Sequence, residues 1–518
     1  MNINDEAKAR EELERAIGTG HAETIAKTAM ANIWPLYSSH YVLLTKAIDM
    51  LPATVLERYP VLRVVHPMTP VLARNRPYKP LVYPDDARGM SPDELDALTL
   101  GQMIAFRFSG DVAAALIYAQ RLEERIHQMH VDGRARSDGP LWFLHLQIGS
   151  TYLAAGQSSR ALLEFATARQ LGRLSLQEDA ERMAVARAAL AHAVRGSLED
   201  AETALADGAR MTPPTAAHEN STYSTERTAA ALIAVERMSA DMTCALAELE
   251  PYDSIEVIWP FALLARVRAL LAWKRPHEAL ELLQLAGDAH PAQHGSFASD
   301  VIASKTIDAL LAVGDEVAAH RIADAATNPG MLTSLSIVHL ALCEGNHAGA
   351  SRILRRIGAQ RNLGPGVRAK HLLLSACLEF ARKGSIDARM AASIARIAIT
   401  GNSRHVLTTV PAGLIAQVES HLSGDTAEEF ARAITGLEFS DLESRPALTS
   451  SELRVLAALS RHATIARIAA EFHVSPNTIK SQLKSLYRKL GCSSREEAIE
   501  IGGRFRMPPA DLEPARFG

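Results

Sequence analysis

Small and large apolar residues recur along most of this chain with a helical rhythm. A glycine-like turn residue is followed five positions later by Ala, four later by a larger apolar residue, and three later by a small or apolar one. The clearest copy is Gly156, Ala161, Phe165 and Ala168. Further copies are Gly110/Ala115/Ala119, Gly196/Ala201/Leu205/Gly208, Ala279/Leu283/Ala286, Gly314/Ala319/Ala323/Ala326 and Gly345/Ala350/Leu354/Ile357. Weaker units surround Ala245 and Leu249 and run from Gly384 through Ala388 and Ala392. Steps of four and three put these positions on one helix face, where Ala and Gly allow close approach and Phe or Leu fills the gap. A single helix pair cannot cover its own apolar face, so the pattern predicts stacked antiparallel pairs.

Composition agrees with helices. Hydrophobic residues make up 47% of the 518 positions and aromatics only 5%, an Ala- and Leu-rich balance that favours helix over strand. The least helical stretch runs from Pro67 to Pro92, where Pro70, Pro77, Pro80 and Pro84 also stand. Repeated proline forbids a continuous helix, so an extended surface loop is expected there.

Residues 142 to 173 resemble a tetratricopeptide repeat, carried by Gly149, Tyr152, Ala161, Phe165 and Ala168. Elsewhere the period is nearer 40 than 34, so the body is tetratricopeptide-like. The stretch from Ala16 to Leu62 resembles the start of the helical-repeat region in the large ATP-binding LuxR-type regulators, relatives of the maltose-regulon activator. Ala16-Ile17-Gly18-Thr19-Gly20-His21, Leu51-Pro52 and Arg58-Tyr59-Pro60-Val61-Leu62 carry that likeness. No G-x-x-x-x-G-K-[ST] occurs in the sequence, so the resemblance implies a regulator without the ATPase.

The last part of the chain has a different pattern. Thr449 with Glu452 forms a capping-box signature ahead of Val455, Leu456 and Leu459, which predicts one helix. A second is expected from about Thr464 to Phe472, with Ile468 and Ala469 inward and His473-Val474 as the turn. Ser475-Pro476 then opens a third as N-cap and first residue, and Gly491 stops it. Its residues Ile479, Leu483, Leu486 and Leu490 form one apolar stripe, with Lys480, Ser481 and Lys484 turned away. Ser494 with Glu497 caps a fourth helix from Arg495 to about Ile501.

This segment resembles the LuxR-type (GerE- or FixJ-type) DNA-binding domain through Val474-Ser475-Pro476-Asn477-Thr478-Ile479-Lys480, Tyr487-Arg488-Lys489-Leu490-Gly491 and Ser494-Arg495-Glu496-Glu497-Ala498. The resemblance implies that Lys480, Ser481 and Lys484 face base edges and that Thr464, Asn477, Thr478 and Arg488 meet the DNA backbone. Hydroxyl and amide groups at helix starts suit phosphate, and Lys can donate to guanine. It also implies dimerisation on DNA, with Arg495 to Ile501 as the surface. His462 replaces the usual Gly, Ala466-Arg467 a Lys-Glu pair, and Gln482 the usual His. His462 is therefore expected to adopt the turn conformation that Gly provides.

Charge sharpens the division. Leu448 to Arg506 holds ten Lys/Arg against five Asp/Glu, while the remainder holds 45 against 54. A basic end on an acidic body is the asymmetry of one phosphate-binding module. Cys244, Cys343, Cys377 and Cys492 form no C-x-x-C pair and are expected as buried free thiols. Asp85-Asp86, His127/His130 and His290/His294 lack the partners that a catalytic or metal site needs. No apolar stretch is long enough to span a membrane and none resembles a signal peptide, so a cytoplasmic protein is expected.

The expected fold is all-α: an α-solenoid of tetratricopeptide-like helix pairs over 1–442, a linker over 443–447, a small four-helix LuxR-type helix-turn-helix domain over 448–506, and a disordered tail over 507–518. The expected function is sequence-specific transcription regulation without enzymatic activity, cofactor or metal. The partners are double-stranded DNA, an unknown small-molecule or protein effector at the repeats, and a second copy when bound to DNA. The rival reading is an interaction scaffold whose C-terminal helices dock protein.

Overall fold

The computed structural model describes residues 3–59, 61–62, 89–133, 140–175, 179–215, 218–249, 258–290, 295–400, 403–439, 450–462, 464–490 and 492–504. Among them every regular element is a helix, as the small-residue rhythm requires. The pair that carries the clearest signature is Leu141–Ala154 and Ser158–Leu174. Ala161, Phe165 and Ala168 are fully buried. A β-carbon on Gly149 would stand 2.6 Å from the Phe165 ring, so the two helices cross closer than any other residue there would allow. Truncating such a filled aromatic position costs about 3–5 kcal/mol.

Further pairs follow in order: Ala180–Arg195 with Leu198–Arg210, Trp259–Ala272 with Pro276–Ala289, Phe297–Val313 with Glu316–Ala325, and Met331–Cys343 with His347–Gly358. The turns within pairs contain a left-handed residue, among them Gly110, Gly156, Gly196, Gly314 and Gly345. In two turns that residue is not glycine. Met238 (φ 48°) follows Glu219–Arg237, and Lys274 (φ 57°) follows Trp259–Ala272. Lys274 lies five positions before the buried Ala279, which is the spacing of the glycine copies.

Two weak units depart from the expected register. The unit around Ala245 has only a short second helix, Met242–Ala247, with Met242 and Leu249 buried. After Gly384, Ala388 and Ala392 are exposed, whereas Ala391, Ile394, Ala395 and Ala398 are buried. Asp387 accepts the Met390 N–H (2.7 Å) and starts the helix Ala388–Ile399 there, which moves the buried face three residues on.

Pro92 also departs from expectation. It is the first residue of the helix Pro92–Phe108, behind a capping box of Ser91 and Glu94. The prolines from Pro67 to Pro84 lie outside the described residues, as do the expected linker and the tail beyond Arg504. Near the N-terminus, helices between Ile3 and Leu56 share an apolar cluster with Val61, Leu62, Ala97 and Leu98. There Glu23 receives Arg58 and the Tyr59 hydroxyl, each at 2.7 Å.

The first helices of successive pairs also touch one another. Glu219–Arg237 meets Trp259–Ala272, which meets Phe297–Val313, then Met331–Cys343, then Pro365–Lys383. The short helix Arg404–Leu407 touches both Pro365–Lys383 and Glu219–Arg237, so these inner helices close into a ring.

Candidate nucleic-acid interface

Four helices, Ser450–Arg461, Ile465–Glu471, Pro476–Leu490 and Arg495–Arg504, surround a separate core. Val455, Leu456 and Leu459 from the first pack with Ile468 and Ala469 from the second and with Ile479, Leu483, Leu486 and Leu490 from the third. Burying this one stripe fixes the roll of the third helix and turns its polar face outward. Lys480, Ser481 and Lys484 are all exposed on that face.

The helix starts are held by hydroxyls. Thr464 accepts the Arg467 N–H (3.4 Å), and Ser475 accepts the Thr478 N–H (3.1 Å). The Ser475 and Thr478 hydroxyls are themselves bonded at 2.9 Å. Thr464, Asn477, Thr478 and Arg488 are exposed, so two helix N-termini present polar groups to solvent, as phosphate contacts require. Arg467, at a departure from the family pattern, is exposed in the same first turn as Thr464.

Other polar residues in the domain face inward. Lys489 Nζ donates to Glu452 Oε2 (2.7 Å), and Glu452 is buried. Lys489 therefore ties the third helix to the first, although Arg488 beside it is an exposed charge. Arg495 donates to the carbonyls of Leu459 and His462, pinning the fourth helix. The left-handed turn residue is His473 (φ 53°), while His462 pairs with Glu471, which also receives Arg461 at 3.1 Å. Glu497 and Ser494 cap the fourth helix reciprocally. Thr449 and Gly491 lie outside the described residues, but the Cys492 N–H returns to the Tyr487 carbonyl (3.1 Å) and closes the third helix.

Residues 446–501 match the family model of the bacterial regulatory proteins, luxR family. The chain is 39% identical over 62 residues to the probable transcriptional regulatory protein NarL of Mycobacterium tuberculosis, covering 12% of this chain and 29% of that protein. It is 44% identical over 54 residues to the transcriptional regulatory protein YdfI of Bacillus subtilis, covering 10% and 25%. It is 46% identical over 54 residues to the probable transcriptional regulatory protein SgaR of Hyphomicrobium methylovorum, covering 10% and 26%. The chain thus spans under a third of the length of these relatives. Among solved structures, the human IFIT1 dimer with PPP-AAAA covers 98% of this chain and 94% of its own at a TM-score of 0.36 and 12% identity.

Outside the luxR-type domain, His127 and His130 are exposed. His290 stacks on Trp259, ring centroids 4.4 Å apart; His294, Asp85 and Asp86 lie outside the described residues. Among the described residues no group of three metal-ligating side chains is gathered. Cys343 is buried as expected, but Cys244 is exposed. Among the described residues no helix is long and apolar enough to cross a membrane.

Proposed function

We propose that this protein is a DNA-binding transcription regulator, with the luxR-type domain as the reader and the helical body as the sensor. The observation that carries this reading is the third helix, Pro476–Leu490, whose apolar stripe is buried while Lys480, Ser481 and Lys484 stand free of it. Lys480, Ser481 and Lys484 read base edges in the major groove, and Thr464, Asn477, Thr478 and Arg488 hold the phosphates. The matched relatives, all described as transcriptional regulators, support the same role for this domain.

The protein binds as a dimer through the fourth helix, on half-sites about one turn, roughly 34 Å, apart. Arg495 and Ala498 are turned into the domain, which leaves Glu496 and its neighbours to form that surface. An effector at the repeats alters how the reader is presented. Selecting bound sequences from a random duplex pool with the full chain tests binding, spacing and symmetry together. Recovery of unenriched sequence would defeat the reading.

A further inference from the structure

The ring of inner helices carries charge where a solenoid normally buries apolar residues. Each member contributes: Glu236 from Glu219–Arg237, Arg268 from Trp259–Ala272, Lys305 and Asp308 from Phe297–Val313, His339 from Met331–Cys343, Lys370 from Pro365–Lys383, and His405 from Arg404–Leu407. Arg268 is paired with Glu236. Lys305 Nζ donates to Asp308 Oδ2 (2.6 Å), and Lys370 Nζ stands 3.7 Å from the same oxygen.

The charges do not balance. Three cations share two carboxylates, and burial pushes the His339 and His405 imidazoles down to about 4, leaving them neutral at pH 7. Burial lowers the Lys305 ammonium to about 8 against the pull of Asp308, so it still carries most of its charge. Excluding a net charge from water is costly unless something compensates it. The side chains of Arg268, Asp308 and Lys370 keep 14%, 12% and 15% of their surface, so their neighbours do not cover them completely. His405 Nδ1 and Asp308 Oδ1, both buried, find no hydrogen-bond partner. One can donate and the other can only accept.

We propose that the ring encloses a binding site for a small oxyanion bearing a hydroxyl group, a phosphate or a hydroxycarboxylate, held by Lys370, Lys305 and Arg268. The anion neutralises the surplus cation, and its hydroxyl reaches the free Asp308 oxygen. Such a ligand touches three of the ring's helices, Trp259–Ala272, Phe297–Val313 and Pro365–Lys383, so its binding draws them together. As the identity of the effector, the site rests on the regulatory reading above; as a binding site it stands independently.

Titration calorimetry on the full chain tests it, with inorganic phosphate and L-malate as separate probes and chloride holding ionic strength constant. Saturable binding of at least one probe is expected, and the one that binds assigns phosphate or carboxylate. Lys370→Gln should weaken it about tenfold or more, about 1.4 kcal/mol. Glu236→Gln should tighten it, because Arg268 cannot shed its proton and the surplus grows. Misfolding cannot tighten binding, so the opposed pair separates charge from damage. No saturation by either probe up to about 10 mM, or identical titrations in both variants, overturns the site. Anion binding that leaves DNA affinity unchanged upholds the site and removes its regulatory role. Intact DNA binding without anion binding removes the site alone.

Discussion

The backbone of Gly196 lies directly against that of Gly366: a β-carbon on Gly196 would stand 2.5 Å from the Gly366 nitrogen. The contact joins the turn after Ala180–Arg195 to the start of Pro365–Lys383, two elements 170 positions apart. Here an early helix pair meets a ring helix distant from it in sequence. Gly196 is also left-handed (φ 84°), whereas Gly384 (φ 72°) has the same backbone need with open space around it.

Gly196→Ala should therefore cost more than Gly384→Ala. Both bear the left-handed penalty of about 1–2 kcal/mol, and Gly196→Ala adds about 1–3 kcal/mol of overpacking against immovable backbone. Urea unfolding of the two variants compares them. Equal losses would mean that the closure between Gly196 and Gly366 yields freely.

Lys480 and Lys489 lie on one helix but have opposite attachments. Lys480→Ala should weaken cognate DNA binding by about 1–3 kcal/mol and leave the melting temperature unchanged. Lys489→Ala removes the cation beside the buried Glu452 and should destabilise the reader domain by about 1–3 kcal/mol. Anisotropy titrations on cognate and random duplexes, alongside thermal melts, separate them. Equal weakening on both duplexes would reduce Lys480 to a phosphate contact.

Arg488 is exposed at the outer face of the same helix, and under the proposed function it meets phosphate and displaces a counterion. Arg488→Ala should lower the slope of log affinity against log salt by about 1 while keeping sequence preference. An unchanged slope would take Arg488 off the DNA.

The reader domain was largely legible because its determinants are local. Caps, turn and stripe fall within a few residues of one another, and Ile479 through Leu490 are enough to orient the helix. Lys489 could have been separated from Lys480 by the same geometry: at about 100° per residue the two fall on opposite shoulders of the stripe. The repeats were legible wherever the turn residue was Gly. They blurred at Met238 and Lys274, where a side chain takes the left-handed conformation without a composition signal, and at Gly384, where Ser385-Ile386-Asp387 delays the helix. The charged ring was not legible. Its members are spread from Glu236 to His405 on different helices, and each alone reads as an ordinary surface charge.

The ring also fixes how the body responds to acid. Burial is the main reason His339 and His405 are lowered to about 4; Asp308 opposes it at His339 and Glu236 at His405, while Lys305 and Lys370 reinforce it at both and Arg268 at His405. In the unfolded chain each imidazole returns to about 6.5. Between those values the unfolded state binds protons that the native state refuses, so stability falls as pH falls, by up to about 1.4 kcal/mol per unit for each histidine. Glu236 and Asp308 are held below the usual carboxylate range, so their stabilisation is lost only at more acid pH. His192, also lowered by burial, contributes in the same direction. Urea unfolding at pH 7, 6 and 5 should show a falling midpoint, with a shallower fall in His339→Gln and His405→Gln. If both variants lose stability with acid as steeply as the parent chain, the protons are being taken up outside the ring.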